Sequence, residues 1–429
     1  MKESIKKRIE AVRRGEVPEG YVSKSHQLRP VDWKYEKIGK YLVPYDEFSN
    51  DTKAYPLATS SRQGLMLQSE YYIDQRYEET TGGFHVVPVD YVTYRHMSDD
   101  DIFRFNLNKI GQPVLVSPEY PVFTTTRGLN QDLLVAYLNG MKEFQAFCSA
   151  QKKGSTRTRM YFRRLCEFTM PVPSITEQQK IAEILATCDR VIELKQSKID
   201  ELNKLKQVCL LEMFPQKGQT IPKRRFPSFS APWEQRKFSD LVETRRGLTY
   251  KPTDIREKGV RVLRSSNIDE DRFVLKPDDV FVDESAINIG FAKENDILIT
   301  AANGSSRLVG KHAIVSEISD KSTVHGGFML LGTSDEPYFA NAFMSSAWYK
   351  RFIDLYVSGG NGAIGNLNKS DLDDQDILVP QKKEQQAIGH FFENLDNLIT
   401  LHQRELAEVG KYKKALMQLL LTGLVRVNA

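Results

Sequence analysis

The sequence predicts an α+β protein with an internal pseudo-two-fold repeat, in which two mixed α/β domains are separated by two long helices that form an antiparallel coiled coil. The first observation is a duplicated segment: "EQQKIAEILATCDRVIELKQSKIDELNKLK" at residues 177–206 returns as "EQQAIGHFFENLDNLITLHQRELAEVGKYK" at residues 384–413, without a gap. The second is that Val-Pro precedes both copies, at Val172 and Val379. The third is that about 140 residues of short β-branched and aromatic runs, broken by Gly, Pro, Asn and Asp, precede each copy.

These features divide the chain into five predicted parts. They are an N-terminal segment with the first domain (1–173), the first helix (174–214), a proline-rich linker (215–232), the second domain (233–380) and the second helix with a tail (381–429). We expect "IKKRIEAVRRGEVPEGY" near the N-terminus to begin as a short packing helix. Within the domains, "VDYVTYR" (89–95) matches "NDILITA" (295–301), "GQPVLVS" (111–117) matches "GKHAIVS" (310–316), and "GSTRTR" from Gly154 falls opposite "GGNGAIGN" from Gly359.

Both helices carry apolar residues at alternating steps of three and four, which is typical of a coiled-coil seam. The first seam contains Ile181, Leu185, Cys188, Ile192, Ile199, Leu202, Cys209 and Met213, and the second contains Ile388, Phe392, Leu395, Ile399, Leu406, Val409, Leu416 and Leu420. Lys195, Lys206, His402 and Lys413 interrupt the seams at matching positions. These polar residues either fix the register of the helices or extend to water.

Composition indicates a soluble globular protein with no strong overall charge. The chain has 429 residues, 40% of them hydrophobic and 27% charged, and 60 basic residues against 56 acidic ones give a net charge of +4. A role with nucleic acid would therefore need local basic patches. The charged N-terminus and the lack of a long apolar run predict a cytoplasmic protein with no membrane segment. Cys148, Cys166, Cys188 and Cys209 have no metal-site spacing and are expected to be small core residues.

Two unlike domains, each followed by a helix that opens with "VPxxxEQQxI" and places an Asp eight residues after that Ile, resemble the specificity subunit of type I restriction-modification systems. Trp33 and Trp233 near the domain starts, "NDILIT" and the "GSTRTR" loop also fit that family. The resemblance implies two target-recognition domains, each reading one half of a bipartite double-stranded DNA sequence, and paired helices that set the spacing.

Further implications of the resemblance concern partners and cofactors. Two modification subunits, which bind S-adenosylmethionine and methylate adenine, would dock on this chain, and restriction subunits with an ATP- and Mg-dependent motor would join them. The chain itself would have no cofactor and no catalytic role. Glu177, Gln178, Glu384 and Gln385 are the family-level candidates for holding the modification subunits, although these residues could equally be N-terminal helix caps.

Catalytic motifs are missing from the sequence. There is no Pro-Pro for an adenine methyltransferase loop, and "GSSRLVGKH" from Gly304 has five residues rather than four before Gly-Lys, so it is not a Walker A motif. "ELK" at residues 193–195 lies on the predicted helix and is expected to be a solvated face. The seven His residues show no ligand spacing, so no metal is predicted.

DNA contacts are expected on the loops of both domains, from residue types that contact phosphates and base edges. The candidates in the first domain are Ser61, Arg62, Thr125, Arg127, Arg157 and Arg159. The candidates in the second domain are Arg245, Arg246, Tyr250, Ser266, Asn267, Ser305, Arg307, Asn361 and Asn366.

The two sets differ, since "TTTRG" compared with "HGGFM" and "GSTRTR" compared with "GGNGAIGN" share little, so we expect an asymmetric target. A helix of about forty residues spans roughly 60 Å, which at about 3.4 Å per base-pair step limits the half-site separation to roughly 17 base pairs.

The near-zero net charge predicts weak DNA binding by the chain alone. A stand-alone DNA-binding regulator and a protein-only coiled-coil scaffold are the alternative functions.

Overall fold

The computed structural model describes residues 3–24, 27–71, 83–152, 157–357 and 365–427. The chain forms two compact units, Met1–Leu194 with Glu405–Ala429, and Lys195–Arg404. Each unit contains one strand-rich domain, one end of the first long helix and the opposite end of the second. The unit boundaries therefore cut both helices, because each domain packs on the helix that follows it and also on the end of the other helix.

The first unit contains five short helices and fifteen short strands among its described residues. In chain order they are α1 (Glu3–Arg13), β1 (Tyr21–Lys24), β2 (Gln27–Pro30), β3 (Lys34–Lys37), β4 (Leu42–Pro44), β5 (Phe48–Ser49), β6 (Ala58–Ser61), β7 (Gly64–Leu67), α2 (Gln68–Tyr71), β8 (Phe84–Val87), β9 (Val92–Tyr94), β10 (Met97–Ser98), β11 (Phe105–Leu107), β12 (Val114–Val116), β13 (Val122–Thr125), α3 (Gln131–Gly140), α4 (Lys142–Ser149), β14 (Thr158–Arg159), α5 (Phe162–Leu165) and β15 (Thr169–Val172).

The first long helix, α6 (Ile175–Glu212), follows, and it agrees with the predicted span to within two residues at each end. The elements after it are β16 (Glu234–Lys237), α7 (Phe238–Leu241), β17 (Glu243–Arg246), β18 (Ile255–Arg256), β19 (Val260–Leu263), β20 (Ile268–Asp269), β21 (Arg272–Phe273), β22 (Val280–Val282), β23 (Ile297–Thr300), β24 (Ala302–Asn303), β25 (His312–Ile314), β26 (Thr323–His325), β27 (Met329–Thr333), α8 (Pro337–Met344), α9 (Ala347–Tyr356), β28 (Gly365–Asn366), α10 (Lys369–Asp373), β29 (Asp376–Val379) and the second long helix α11 (Lys382–Leu421).

The internal repeat is confirmed in one sheet of each domain. The first domain has a four-stranded antiparallel sheet in the order β11-β9-β13-β4, and the second has β25-β23-β27-β17. Two short pairs also correspond, because β10 pairs with β14 and β24 pairs with β28. The neighbouring sheets differ: β12 is antiparallel to β8, whereas β26 is parallel to β19. The two domains therefore share a common sheet but differ in the strands that pack beside it.

Two of the segment matches made from sequence are wrong. "GQPVLVS" forms β12 in a three-stranded sheet, whereas "GKHAIVS" forms β25 beside β23, whose structural counterpart in the first domain is β11. "TTTRG" begins on β13, while "HGGFM" ends at the start of β27, the counterpart of β13. Short β-type runs resemble one another in composition, and the sheet partner of each depends on contacts distant in sequence.

Each domain core is continuous with the helix ends in its own unit. In the first unit, Trp33, Phe105 and Phe144 belong to one buried cluster with Ile181 of α6 and Leu420 of α11. In the second, Trp233 and Phe339 belong to a cluster with Met213 of α6 and Ile388 of α11. The predicted seam is confirmed, since all its residues are buried or half-buried. Burying these apolar residues stabilises the packing of each domain on its two helix ends.

Within each unit, a salt bridge joins the two helix segments at the polar seam positions. In the second unit, Lys206 Nζ lies 2.6 Å from Asp396 Oδ1. In the first, Lys413 Nζ pairs with Asp189 Oδ1. The two pairs are related by the repeat, so the register hypothesis describes Lys206 and Lys413 better than extension to water does. The segments are antiparallel in each unit. In the first, Ile181 shares a cluster with Leu420, and the later α6 residue Asp189 pairs with the earlier α11 residue Lys413. In the second, Met213 shares a cluster with Ile388, and the earlier α6 residue Lys206 pairs with the later α11 residue Asp396.

The Glu-Gln-Gln triplets begin the helices in the same way. Glu177 accepts two hydrogen bonds from Arg426, at 2.7 and 2.9 Å, and Glu384 accepts two from Arg225, both at 2.6 Å. Each arginine comes after the end of the other long helix. The Glu177 carboxylate also accepts the indole N–H of Trp33 at 3.0 Å, whereas no described residue accepts that of Trp233.

The glutamine that follows each of these glutamates closes the turn before the helix. Gln178 Nε2 donates to the carbonyl of Pro173 at 3.0 Å, and Gln385 Nε2 donates to that of Pro380 at 2.8 Å. The duplicated "VPxxxEQQ" is thus one local structure used twice. The side chain of Ser174 accepts from the amide of Glu177 and caps α6, so Glu177 is not the capping residue of this helix.

The N-terminal helix α1 packs on the chain's own tail, as expected. Arg8 donates to the hydroxyl of Tyr21 and to the carbonyl of Leu424, both at 3.0 Å. Across the described ranges, the structure contains no helix that is long and apolar enough to cross a membrane.

We expect Arg225→Met to lower the free energy of unfolding of the second unit by about 3 to 5 kcal/mol, because the carboxylate of Glu384, only 1% exposed, would lose its charge partner. The measurement is urea unfolding followed by tryptophan fluorescence. Arg224→Met is the matched control: Arg224 pairs with Glu212 but its own side chain is exposed, so the cost should be below about 1 kcal/mol. Adding Glu384→Gln to Arg225→Met should recover part of the loss, and equal effects of the two arginine variants would contradict this account.

Candidate nucleic-acid interface

The best candidate surface in the second domain is the edge where three chain segments meet the β24·β28 pair. We call it the second edge; it comprises residues 246–250, 264–267, 301–307, 326–328 and 365–367. The amide of Leu248 donates to the carbonyl of His325 at 2.7 Å, and that of Gly326 to Leu263 at 2.9 Å. Asn303 Nδ2 donates to Ser265 Oγ at 3.0 Å. Backbone bonds at the sheet end therefore bring these loops together.

Several predicted DNA-contact residues meet at the second edge. Arg246 ends β17, Ser305 and Arg307 follow β24, and Asn366 ends β28, and all four are exposed. Tyr250 is half-buried against Val260 and Val282. Asn361 lies outside the described residues. Sequence reasoning missed Arg264 and Asn303 on this edge, although each lies within four residues of a predicted contact.

Two candidates in the second domain have structural roles instead. Asn267 is 0% exposed, and its side-chain amide donates to Asp279 Oδ1 at 2.8 Å, so its assignment as a DNA contact is wrong. Arg245 donates to Asp296 Oδ2 at 2.7 Å, and Asp296 is only 2% exposed, so Arg245 neutralises a buried carboxylate. The hydroxyl of Ser266 is buried as well. A turn rich in Ser and Asn has the composition of a surface loop, but here it folds inward.

The buried histidine beneath the second edge carries no charge. His325 ends β26 and is completely buried, and its Nε2 lies 3.1 Å from the carbonyl oxygen of Arg245. Burial lowers the pKa of His325 to about 4, so the ring is uncharged at neutral pH. The positive charge of this edge therefore comes from its exposed arginines.

The corresponding edge of the first domain surrounds the β10·β14 pair, and we call it the first edge; it comprises residues 61–62, 97–101 and 157–161. It brings together the predicted contacts Ser61, Arg62, Arg157 and Arg159. Arg159 lies opposite Met97 in the strand pair and is exposed. Ser61 is in the tight turn between β6 and β7, where its Oγ donates to the carbonyl of Gly64.

Three consecutive aspartates, which sequence reasoning missed, lie at the first edge, and two of them pair with its arginines. Arg157 Nε lies 2.6 Å from Asp99 Oδ1, and Arg62 pairs with Asp100. Asp101 accepts from the hydroxyl of Thr158. The hydrogen bond from Arg62 lowers the pKa of Asp100, with Ser98 contributing. The signal in the sequence was "SDDD" directly after a β-type run, at the repeat position of "NGSS" in the second domain.

Thr125 and Arg127 are separated from the other first-domain candidates. β13 and β9 are antiparallel, so the end of β13 lies at the opposite end of the sheet from β10. The loop after β13 instead lies beside the start of α6, where Gln178 Nε2 donates to the carbonyl of Gly128. Arg127 is exposed there, and contact with DNA from this position stays a prediction.

The predicted partner-binding residues are mostly buried. Glu177, Gln178 and Glu384 are all less than 4% exposed and bonded within their own unit, while Gln385 is half-buried. Docking through them stays a prediction, but their internal hydrogen bonds argue against it. The Gln178 side chain also accepts the amide of Asn130 at 2.7 Å.

A different surface of the long helices has the character of a docking site. Exposed apolar residues come directly before seam positions, and they repeat between the two helices. In the first unit they are Val191, Leu194 and Tyr412, and in the second they are Leu205, Val208, Leu398 and Leu401. We call these two sets the outer stripes. Leu194 is 71% exposed, which is unusual for a large apolar side chain on a helix face.

No group of three or more His, Cys, Asp or Glu residues in the described part of the chain could hold a metal ion. Exposed arginines lie at both edges, and the second edge adds the side-chain amides of Asn303 and Asn366. These residue types contact phosphates and the polar edges of bases.

Comparisons with known proteins agree with this picture. Residues 106–204 and 231–411 match the family model described as the type I restriction modification DNA specificity domain. The specificity subunit of the type I restriction enzyme MjaVIII from Methanocaldococcus jannaschii is 23% identical over 427 residues, covering 94% of this chain and 95% of the relative. The specificity subunit of the EcoKI enzyme from Escherichia coli K12 is 26% identical over 242 residues, covering 53% of this chain and 50% of the relative.

Two solved structures share the fold. The crystal structure of the type I restriction-modification S subunit from M. genitalium gives a TM-score of 0.59 at 13% identity, covering 91% of this chain and 96% of that chain. A chain from work on complex assembly and conformational transition of the type I R-M system gives a TM-score of 0.53 at 12% identity, covering 92% and 98%.

We expect Arg307→Ala to weaken DNA binding without lowering stability, and Arg245→Met to lower stability. Arg307→Ala should leave the free energy of unfolding within about 0.5 kcal/mol, because its side chain is exposed. It should weaken DNA binding at all sequences and reduce the salt dependence of the logarithm of affinity by about one unit. Arg245→Met should cost about 3 kcal/mol of stability by leaving Asp296 without its cation. Urea unfolding and binding titrations at several salt concentrations are the measurements; unchanged salt dependence in Arg307→Ala would contradict the assignment.

Proposed function

Since the chain belongs to the family of type I restriction-modification specificity subunits, we propose that its two edges read the two halves of one asymmetric, bipartite DNA sequence. The observation that carries the proposal is that the two edges are built on corresponding strand pairs, β10·β14 and β24·β28, but present different side chains. Corresponding strand pairs support the same role for both edges. Different side chains support recognition of different base sequences.

The side-chain types at each edge support this asymmetry. Arginine recognises guanine, asparagine recognises adenine and a carboxylate accepts from cytosine in the major groove. The first edge combines Arg62, Arg157 and Arg159 with three aspartates, while the second combines arginines with Asn303 and Asn366. Two readers with these sets would not prefer the same bases, so the target would not be a palindrome.

The chain is a DNA-recognition component, and catalysis belongs to other subunits of the system. We propose that the partner modification subunits bind S-adenosylmethionine and that restriction subunits bind ATP and Mg. With a net charge of only +4, the chain alone would bind DNA weakly, and clamping by its partners would supply the remaining affinity.

We propose further that the two outer stripes hold two modification subunits, one per unit. Residues that precede the seam positions lie on the same side of an antiparallel helix pair, so within each unit the apolar residues of the two helices form one patch. Each unit has one such patch made of equivalent residues, which supports two equivalent partners. This assignment replaces docking by the buried Glu177, Gln178 and Glu384.

The test of the function is a genome-wide map of methylated adenine in the source organism before and after deletion of this gene. We expect one bipartite, asymmetric motif to lose methylation, because recognition of both halves depends on this chain. Returning the gene with Asn366→Ala should leave the half read by the first domain unchanged and relax the other half. A methylation map that is unchanged while the protein is expressed would overturn the proposal and favour a stand-alone regulator.

The test of the docking surface is the subunit ratio of the purified complex. Leu194→Asp in the first unit, or Leu401→Asp in the second, should each remove one modification subunit, and the double variant should remove both, because a charge in an apolar contact is costly. Native mass spectrometry gives the ratio. Leu355→Asp is the control, since Leu355 is an exposed apolar residue on α9 rather than on a long helix. Full occupancy in the double variant would refute the surface.

A further inference from the structure

The second edge carries one large apolar side chain that is exposed to solvent. Phe328 lies in the turn between β26 and β27, and it is 70% exposed. A phenylalanine in water forgoes the free energy that burial of its ring would supply. Turns are normally occupied by Gly, Pro, Asn, Asp or Ser rather than by a large apolar residue.

The turn that carries Phe328 is rigid. The amide of Met329 donates to the carbonyl of Gly326 at 2.8 Å, which closes a β-turn. The carbonyl of Phe328 accepts from the amides of both Ala301 and Ala302, at 2.9 and 3.0 Å. The backbone is thus fixed on both sides, and the exposure of the ring does not come from a loose loop.

Two glycines allow neighbouring segments to approach this turn closely. A Cβ atom on Gly247 would lie 2.0 Å from the carbonyl oxygen of Gly326, and one on Gly327 would lie 3.1 Å from Thr249 Oγ1. A side chain is therefore excluded at Gly247, and one at Gly327 would require Thr249 to shift slightly. The Phe328 ring projects from a tightly packed platform.

Polar groups of the second edge surround this platform. Gly326 is bonded to the strand that ends before Arg264, and Ala302, which donates to Phe328, is followed by Asn303 and pairs with Asn366. These residue types contact phosphates and the polar edges of bases. The apolar group that bases present beside those polar edges in the major groove is the C5 methyl of thymine.

The first edge also presents an aromatic ring, from a different segment. Tyr161 follows β14 by two residues and is exposed, and its ring stacks on His96 at a centroid distance of 5.7 Å. The repeat does not relate Tyr161 to Phe328. Each edge thus presents an exposed aromatic ring, from different positions of the two domains.

We propose that Phe328 is a specificity-determining residue of the second domain, which packs against the C5 methyl group of a thymine in the major groove. This inference rests on the proposed function, because it requires that the second edge read DNA. It follows that the half-site read by the second domain contains an A·T pair, and that the preference at that pair depends on the methyl group.

The experiment uses the complex of the full chain with its modification subunits and the duplex target defined by the methylation map. Each thymine of both half-sites is replaced in turn by deoxyuridine, which removes only the methyl group. With the native chain, one position should weaken binding by about fivefold, the effect of one buried methyl group. Phe328→Ala should weaken binding to the unmodified target by at least that factor and abolish the response to deoxyuridine at that position.

Two further variants separate the contact from general effects. Phe328→Leu retains an apolar side chain and should keep part of the deoxyuridine response. Leu355→Ala removes another exposed apolar side chain, 80% exposed on α9, and should behave as the native chain. Thermal unfolding should be the same for all variants, because the turn is held by its backbone.

The possible outcomes distinguish this inference from the function beneath it. If the native complex binds its target specifically but responds to deoxyuridine at no position, or if Phe328→Ala responds as the native chain does, the methyl contact is refuted and the reading of DNA by the second edge stands. If the half-site read by the second domain contains no A·T pair, the methyl contact is also refuted. If the native complex shows no sequence preference, the proposed function itself fails.

Discussion

The buried carboxylate at the start of each long helix is the interaction on which the rest of the structure depends. Glu177 and Glu384 are nearly inaccessible to solvent, and each is neutralised by an arginine that the chain supplies only after the opposite helix has ended. An unpaired carboxylate in that position would be expensive, so each unit is complete only when both helix ends are present. The core of each domain includes residues of both helix ends, so it too is complete only when both ends are present.

Because stability comes from the buried carboxylates and the cores around them, the side chains at the candidate DNA contacts can differ between the two domains. In both domains the four-stranded sheet and the helix ends supply the stability, while the edges are short strand pairs and turns bonded mainly through their backbones. Side chains at such positions can change with little effect on the core. The first edge holds its arginines with aspartates, and the second leaves Arg246 and Arg307 exposed.

The sequence predicted the elements whose evidence is periodic and local. The helix spans and the seam followed from patterns that are visible in the chain itself. The failures were all non-local. Asn267 has the composition of a surface turn but bonds a buried aspartate, Arg245 answers an aspartate 51 residues away, and β12 and β25 look alike but join different sheets. The glutamates looked like exposed helix starts because their arginine partners lie 159 and 249 residues away along the chain.

The salt bridges between the helix segments follow a self-complementary charge pattern. Each long helix carries one aspartate and one lysine of the two repeat-related pairs, Asp189 with Lys206 on α6 and Asp396 with Lys413 on α11. A helix with this arrangement is complementary to a second copy of itself, since in an antiparallel pair its aspartate would meet the copy's lysine and its lysine the copy's aspartate. The charge pattern that joins the two unlike halves is therefore one that would also allow two copies of a half-length chain to form a symmetric homodimer.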